Sequence, residues 1–425
     1  MTASVAQSSR PNTHKSLREQ FAKIRQTSMR ITEWLSAEDQ MLQSMPDASP
    51  TKWHLAHTTW FFETFILLPN APHRYKPFDD RYQYLFNSYY KQLGAHPYRG
   101  SRGLLSRPRL EEVHAYREQV DRVLVARLDR FDDPVNELIE LGINHEQQHQ
   151  ELILTDIKHG LWSSPLRPEF IHGPRAVDVA PRVDWTEFDG GIHAVGHAGG
   201  GFAFDNEGPR HEVLLQPFAI ASRAVTNSEY LEFMQDRGYK RPELWLSDGW
   251  DAVCTQRWNA PLYWEETPDG NWRQFVLNGT TGAGMKDVNP AEPVCHVSYY
   301  EADAYARWVG ARLPREEEWE VAAAQMPSEG SFLDDGVFHP KRANGEGNQQ
   351  MFGDVWEWTA SPYVAYPGFK PATGVVGEYN GKFMCNQLVL RGGSCATPAS
   401  HIRASYRNFF PPHARWQFSG IRLAK

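Results

Sequence analysis

Apolar residues in the first third of the chain recur at helical spacing. Between His14 and Leu42 they fall at Leu17, Phe21, Ile24, Met29, Ile31 and Leu35, which predicts a first helix with one apolar face. Ser49-Pro50-Thr51 interrupts the pattern. The run KWHLAHTTWFFETFILL then predicts a second helix that Pro69 stops. LEEVHAYREQVDRVLVARLDR predicts a third. DPVNELIELGINHEQQHQELILTDIKHGLW predicts a fourth, with Pro134 in its first turn, where a missing N–H leaves no bond unmade. Four helices with long connections point to a bundle. The connection from Asn70 to Pro108 is long for a structureless loop, and such loops in compact domains often carry function.

The texture changes between His159 and Val183, where SSPLRPEFIHGPRAVDVAPRV is Pro-rich and without periodicity. Beyond it Gly, Trp and short β-branched runs dominate. HEVLLQPFAIAS reads as a strand pair, and helical spacing returns at TNSEYLEFMQDRG and YYEADAYARWVG. The expected organisation is a disordered tail over 1–14, a helical domain over 15–160, a linker over 161–183 and an irregular α+β domain over 184–425.

Composition narrows the function classes. A length of 425 residues suits two domains, and a formal net charge of −8 does not favour nucleic acid or an anionic membrane as the main partner. Cys254, Cys295, Cys385 and Cys395 form no C-x-x-C pair, which argues against a thiolate zinc site, and they are too sparse for a disulfide scaffold. The opening MTASVAQSSRPNTHK lacks an apolar leader, and no run approaches the ~18 apolar residues of a membrane span. The expected location is the cytoplasm.

The sharpest chemical signal is His145-Glu146-Gln147-Gln148-His149 on the fourth helix. Residues four apart share a helix face, so His145 and His149 can present two imidazoles to one metal. A third ligand would come from His54 or His57 on the second helix, since facing helices of a bundle can assemble such a site. Two other readings fit the same residues. His145-Glu146-x-x-His149 matches the zinc-peptidase helix, with Glu169 downstream as a third ligand. Among 17 histidines, an i, i+4 pair also arises by chance on a solvated face. Imidazole suits iron, copper, nickel and zinc alike, so ligand type does not name the metal.

Trp53-x-x-x-His57 followed by His145-x-x-x-His149-x-Glu151 resembles the DinB-like iron-binding domain of EgtB-type sulfoxide synthases, the ergothioneine-biosynthesis enzymes. The second half independently resembles the formylglycine-generating-enzyme-like domain, a C-type-lectin-related fold. The matching stretches are RHEVLLQPFAIASRAVTNSEYLEF, PVCHVSYYEADAYARWVGARLPREEEWEVAAA, GDVWEWT, VLRGGSCA and GIRLAK. The two resemblances cover nearly all of residues 15–425, and their pairing disfavours the peptidase. After the RGGS motif no cysteine follows Cys395, so the namesake's thiol pair is missing and Cys395 reads as structural. The fold is then kept without its chemistry.

The resemblance implies an iron(II) enzyme that uses dioxygen to join a cysteine or γ-glutamylcysteine thiol to hercynine (Nα-trimethylhistidine), giving a sulfoxide. It implies His57, His145 and His149 as iron ligands, with His54 a neighbour and Glu151 a supporting residue. Gln148 and Asn408 would contact the substrate imidazole, Phe409 and Phe410 would shape a pocket for the trimethylammonium, and Arg99 and Arg102 would hold the thiol substrate's carboxylate. Tyr89 and Tyr90 are the expected proton donors, by likeness to a subtype that carries its tyrosines on the first-domain loop. That subtype favours cysteine as the thiol. A non-catalytic lectin-like binding module is a rival outside enzymes. An ovothiol-type synthase is the nearer one, and the ending at GIRLAK, without the methyltransferase domain usual there, favours ergothioneine.

Overall fold

The computed structural model describes residues 13–70, 75–173, 180–279, 283–345 and 347–425. The expected disordered tail lies almost wholly outside them. The four expected helices are present. They are α1 (Thr13–Arg30), α2 (Thr51–Phe62), α3 (Leu110–Val125) and α4 (Asp133–Ser163). Helix α2 packs on α3 and α4, and α1 packs on α4. Asp132 caps α4, its side chain accepting from the Val135 N–H at 3.2 Å, and Pro134 follows in the first turn.

Helix α1 stops twelve residues short of the expected end at Leu42. Local polar chemistry competes with the helix there. The Ser36 N–H donates to Asp39 at 3.0 Å, and the Asp39 N–H donates back to Ser36 Oγ at 3.1 Å, which closes a turn instead of a helical ladder. Helix α2 is buried on every face. Its polar residues therefore need internal partners, and the Lys52 ammonium finds them in the Leu105 and Pro108 carbonyls at 2.9 and 2.8 Å. The helix continues through a π-helical turn at Glu63–Leu67, where the buried Glu63 carboxylate accepts from Tyr75 and Tyr116.

The second half is α+β with small sheets. Its largest sheet orders the strands Asn408–Phe410, Leu388–Arg391, Trp356–Pro362 and Ser419–Gly420, antiparallel except for the last pairing. Helices α5 (Asn227–Gln235), α6 (Ser247–Gln256), α7 (Tyr299–Trp308) and α8 (Glu316–Ala323) surround the sheets. Capping boxes at Thr226/Glu229 and Ser298/Glu301 start α5 and α7 where the sequence placed helices.

HEVLLQPFAIAS does form two strands, His211–Leu215 and Phe218–Ala221, but they do not pair with each other. The first pairs with Gly191–Val195 and the second with Trp185–Phe188. Only Gln216 and Pro217 separate them, and proline lacks the N–H that a tight hairpin ladder would use. Part of the expected linker is also structured: Ile171–His172 adds in parallel to Asn278–Gly279. Residues 174–179 of that linker lie outside the described residues. One continuous buried core, from Phe21 to Leu423, runs through both halves. Among the described residues no helix is long and apolar enough to cross a membrane.

Candidate metal centre

His57 on α2 and His145 and His149 on α4 converge, with one ring nitrogen of each lying within 4.8 Å of the others. The i, i+4 spacing puts the last two on one face of α4, and α2 supplies the third from across the interface. His57 is clamped between two indoles, with Trp53 stacked at 4.6 Å and Trp60 at 5.4 Å. Its Nδ1 lies 2.6 Å from the Phe86 carbonyl, which can only accept, so Nδ1 carries the proton and Nε2 presents a lone pair. Burial holds His57 and His149 well below the usual imidazole range and brings His145 down to about 3. All three are neutral at physiological pH.

Both ring nitrogens of His145 and Nε2 of His57 are sealed from solvent without a hydrogen-bond partner. Buried polar atoms are otherwise almost always satisfied, and each neutral ring keeps one nitrogen lone pair, so these unpartnered nitrogens fit a bound cation. A set of three neutral imidazoles with no carboxylate suits a divalent transition metal.

His54 does not join the trio's open face. Its Nδ1 lies 2.8 Å from His149 Nδ1, and its Nε2 lies 3.0 Å from Asp156. Glu151 likewise turns away. Its buried carboxylate accepts from Trp356 Nε1 at 2.5 Å, Thr397 Oγ1 at 2.7 Å and Ser394 Oγ at 3.0 Å. It thus ties α4 to the GDVWEWT and RGGSCAT segments of the second half. Cys395, beside Ser394, is fully buried, and burial pushes its thiol well up, as suits an inert packing residue.

The remaining expected residues fall at various distances from this centre. The half-buried Gln148 donates through Nε2 to the Tyr406 hydroxyl at 2.7 Å, and its Oε1 accepts from the Tyr379 hydroxyl. Tyr379 was not expected. Its ring lies edge-on to His145 at 5.7 Å and stacks on Phe204 at 5.5 Å. Among the described residues it is the tyrosine whose ring packs on one of the three histidines. The only signal in the sequence is an aromatic residue in the Gly-rich stretch GEYNGKF. The Tyr89 and Tyr90 rings pack on each other at 4.6 Å, tilted by 32°, with Tyr90 against Trp60 and Tyr89 against Tyr379.

Arg102 is buried over the Trp53 ring, 3.4 Å from its centroid, and donates to Ser49 Oγ and Ser88 Oγ at 2.8 and 3.0 Å. No carboxylate among the described residues lies within ion-pairing distance of it. Burial and the neighbouring Arg99 bring its pKa down to about 9. Arg99 itself is exposed and donates to the Asp47 carbonyl. Asn408, Phe409 and Phe410 form the edge strand, where side chains alternate between faces. Phe409 stacks on Tyr363 at 4.0 Å and meets Phe383, which in turn meets Tyr89. Phe410 meets Trp416.

The peptidase reading fails on Glu146. The carboxylate is buried against Arg25 at 2.9 Å, Ser28 at 2.6 Å and Arg117. Burial alone would raise its pKa, but the two guanidiniums outweigh that and hold it at about 2, too weak a base to activate water at neutral pH. Glu169 sits beside His172 rather than with the three histidines.

Comparison with known proteins gives a consistent picture. Residues 187–344 and 326–425 match the sulfatase-modifying factor enzyme 1-like domain. A hercynine oxygenase of Mycolicibacterium thermoresistibile is 32% identical over 96% of this chain and 94% of its own length. One of Mycobacterium tuberculosis is 32% identical over 95% of this chain and 97% of its own. Ergothioneine biosynthesis protein 1 of Schizosaccharomyces pombe is 29% identical over 53% of this chain and 28% of its own length.

Proposed function

Because the chain belongs to the hercynine oxygenase family, we propose that it joins a cysteine thiol to the imidazole of hercynine, using dioxygen and an iron(II) held by His57, His145 and His149. The product is hercynylcysteine sulfoxide. Thiol and imidazole each lose one hydrogen, a C–S and an S–O bond form, and the second oxygen atom leaves as water. The four electrons taken by dioxygen all come from the two substrates.

The observation that carries the reading is the convergence of three buried, neutral imidazoles, two of them with unpartnered nitrogens, and no carboxylate among them. Iron(II) held by these three residues would supply activation of dioxygen close to both substrates. Holding the partners together makes bond formation effectively unimolecular.

The chain's own residues do the rest. Gln148, one residue before His149, offers an amide to the hercynine imidazole, with Asn408 on the edge strand as the second contact. The aromatic surface that includes Phe409 and Phe410 suits the trimethylammonium. Arg102 is a buried guanidinium with no carboxylate in ion-pairing distance among the described residues, which favours a role in binding the thiol substrate's carboxylate, with the exposed Arg99 assisting from the rim. A tyrosine hydroxyl delivers the proton. Tyr379 is the best placed, hydrogen-bonded to Gln148 and packed on His145, with Tyr89 and Tyr90 behind it.

The test uses apoprotein reloaded with iron(II) or zinc(II). Oxygen uptake should require iron, hercynine and cysteine together and be absent with zinc. Uptake that persists without hercynine, or peptide cleavage by the zinc form, would contradict the reading. γ-Glutamylcysteine in place of cysteine names the thiol.

A further inference from the structure

His54 and Asp156 lie outside the trio and form a hydrogen-bonded chain that ends on it. His149 Nδ1 is 2.8 Å from His54 Nδ1, and His54 Nε2 is 3.0 Å from Asp156 Oδ2. The same carboxylate oxygen accepts from the Ser49 N–H at 2.7 Å, at the start of α2. All three side chains of the chain are at least nine-tenths buried.

Burial favours the neutral form of His54, and with that ring neutral the direction of these bonds follows. A carboxylate can only accept, so His54 Nε2 carries a proton. The other nitrogen of a neutral imidazole then has only a lone pair, so His54 Nδ1 accepts. His149 Nδ1 must therefore be the donor, which leaves His149 Nε2 bare. We infer that His54 and Asp156 are positioning residues that lock His149 in the tautomer able to bind the metal and orient its ring. The inference rests on the metal-centre reading above for its purpose, though not for its geometry.

The relay also explains why two histidines three apart on α2 differ in role. His57 turns Nε2 towards the trio and anchors Nδ1 on a backbone carbonyl. His54 reaches the same centre one shell out. An outer partner that fixes a ligand imidazole raises its basicity and typically contributes 10- to 100-fold in metal affinity.

Two measurements test this. In apoprotein carrying ¹⁵N-histidine, with the His149 signals assigned by their loss in His149→Gln, the relay requires a protonated Nδ1 and an unprotonated Nε2. The reverse tautomer overturns it, and this readout is made on the wild-type protein. Second, competition with a chelator gives the iron(II) and cobalt(II) affinity of His54→Leu, His54→Asn and Asp156→Ala. The Leu and Ala variants should bind about 10- to 100-fold more weakly. His54→Asn should recover part of the loss, because its amide oxygen can accept the His149 Nδ1–H. Wild-type affinity in both His54→Leu and Asp156→Ala overturns the relay. Wild-type protein that binds no divalent metal would overturn the metal-centre reading instead, and the tautomer would still decide the relay.

Discussion

Glu146 and Lys158 lie twelve residues apart on α4, about three helical turns, and their buried charges have opposite consequences. Glu146 is balanced by Arg25 and Arg117. Glu146→Ala leaves two buried guanidiniums facing each other and should cost about 3–5 kcal/mol in chemical denaturation, while the remaining folded enzyme still forms sulfoxide. Because the folded carboxyl is held at about 2 against an ordinary 4.5, its stabilisation is present above the ordinary value and is lost as pH falls towards 2. Lys158 has no carboxylate partner among the described residues. It lies 2.7 Å from His296 Nε2 and over the Tyr263 and Phe418 rings, and burial brings its pKa down to about 8 from 10.5. The folded state therefore binds this proton less tightly than the unfolded chain. The cost is full below about pH 8 and is relieved as pH rises towards 10.5, on the order of 3 kcal/mol. Lys158→Met should raise stability at pH 7 and flatten the difference between unfolding curves at pH 7 and pH 10. A variant that keeps the wild-type slope would show that another group causes it.

At the scale of elements, α4 carries both the metal face and the tie to the second half. Glu151 is one part of that tie, alongside Gln148 and Lys158: a buried carboxylate with three neutral donors and no cation among the described residues, and burial raises its pKa. Glu151→Ala strands those donors and should destabilise by about 1–3 kcal/mol or more. Glu151→Gln keeps an acceptor and should cost much less, as thermal unfolding of the pair would show. The loop bearing Tyr379 also meets α4, at Gln148 and His145. Tyr379→Phe should lower kcat for sulfoxide formation by about 10²–10⁴-fold, with Tyr89→Phe and Tyr90→Phe less affected. An unchanged rate in Tyr379→Phe would return the proton to the Tyr89–Tyr90 pair. Such tertiary neighbours were not legible in the sequence. His145 and His149 were, because helical spacing alone puts them on one face. Tyr379 comes from more than two hundred residues further on, in a stretch with no periodicity to place it.

For the whole molecule, periodicity located the four helices of the first half and α5 and α7 in the second, since that signal is local. The strand pairing around Gln216-Pro217 was not local. Each strand took a partner from the preceding segment, and no residue in HEVLLQPFAIAS encodes that choice. The end of α1 was lost to a Ser36–Asp39 turn that competes with apolar spacing. His54 was expected only as a neighbour of the ligands, and its partner Asp156 could be found only once α2 and α4 were packed.

The central claim is that three imidazoles from two helices hold a metal at which two substrates and dioxygen combine. The most direct measurement is anaerobic reconstitution with iron(II), followed by oxygen in the presence of hercynine and cysteine, with products read by mass spectrometry. The account predicts a hercynine–cysteine sulfoxide adduct that needs iron, oxygen and both substrates and that disappears in His145→Ala. Iron-loaded, folded protein that gives no adduct with cysteine or γ-glutamylcysteine would contradict it.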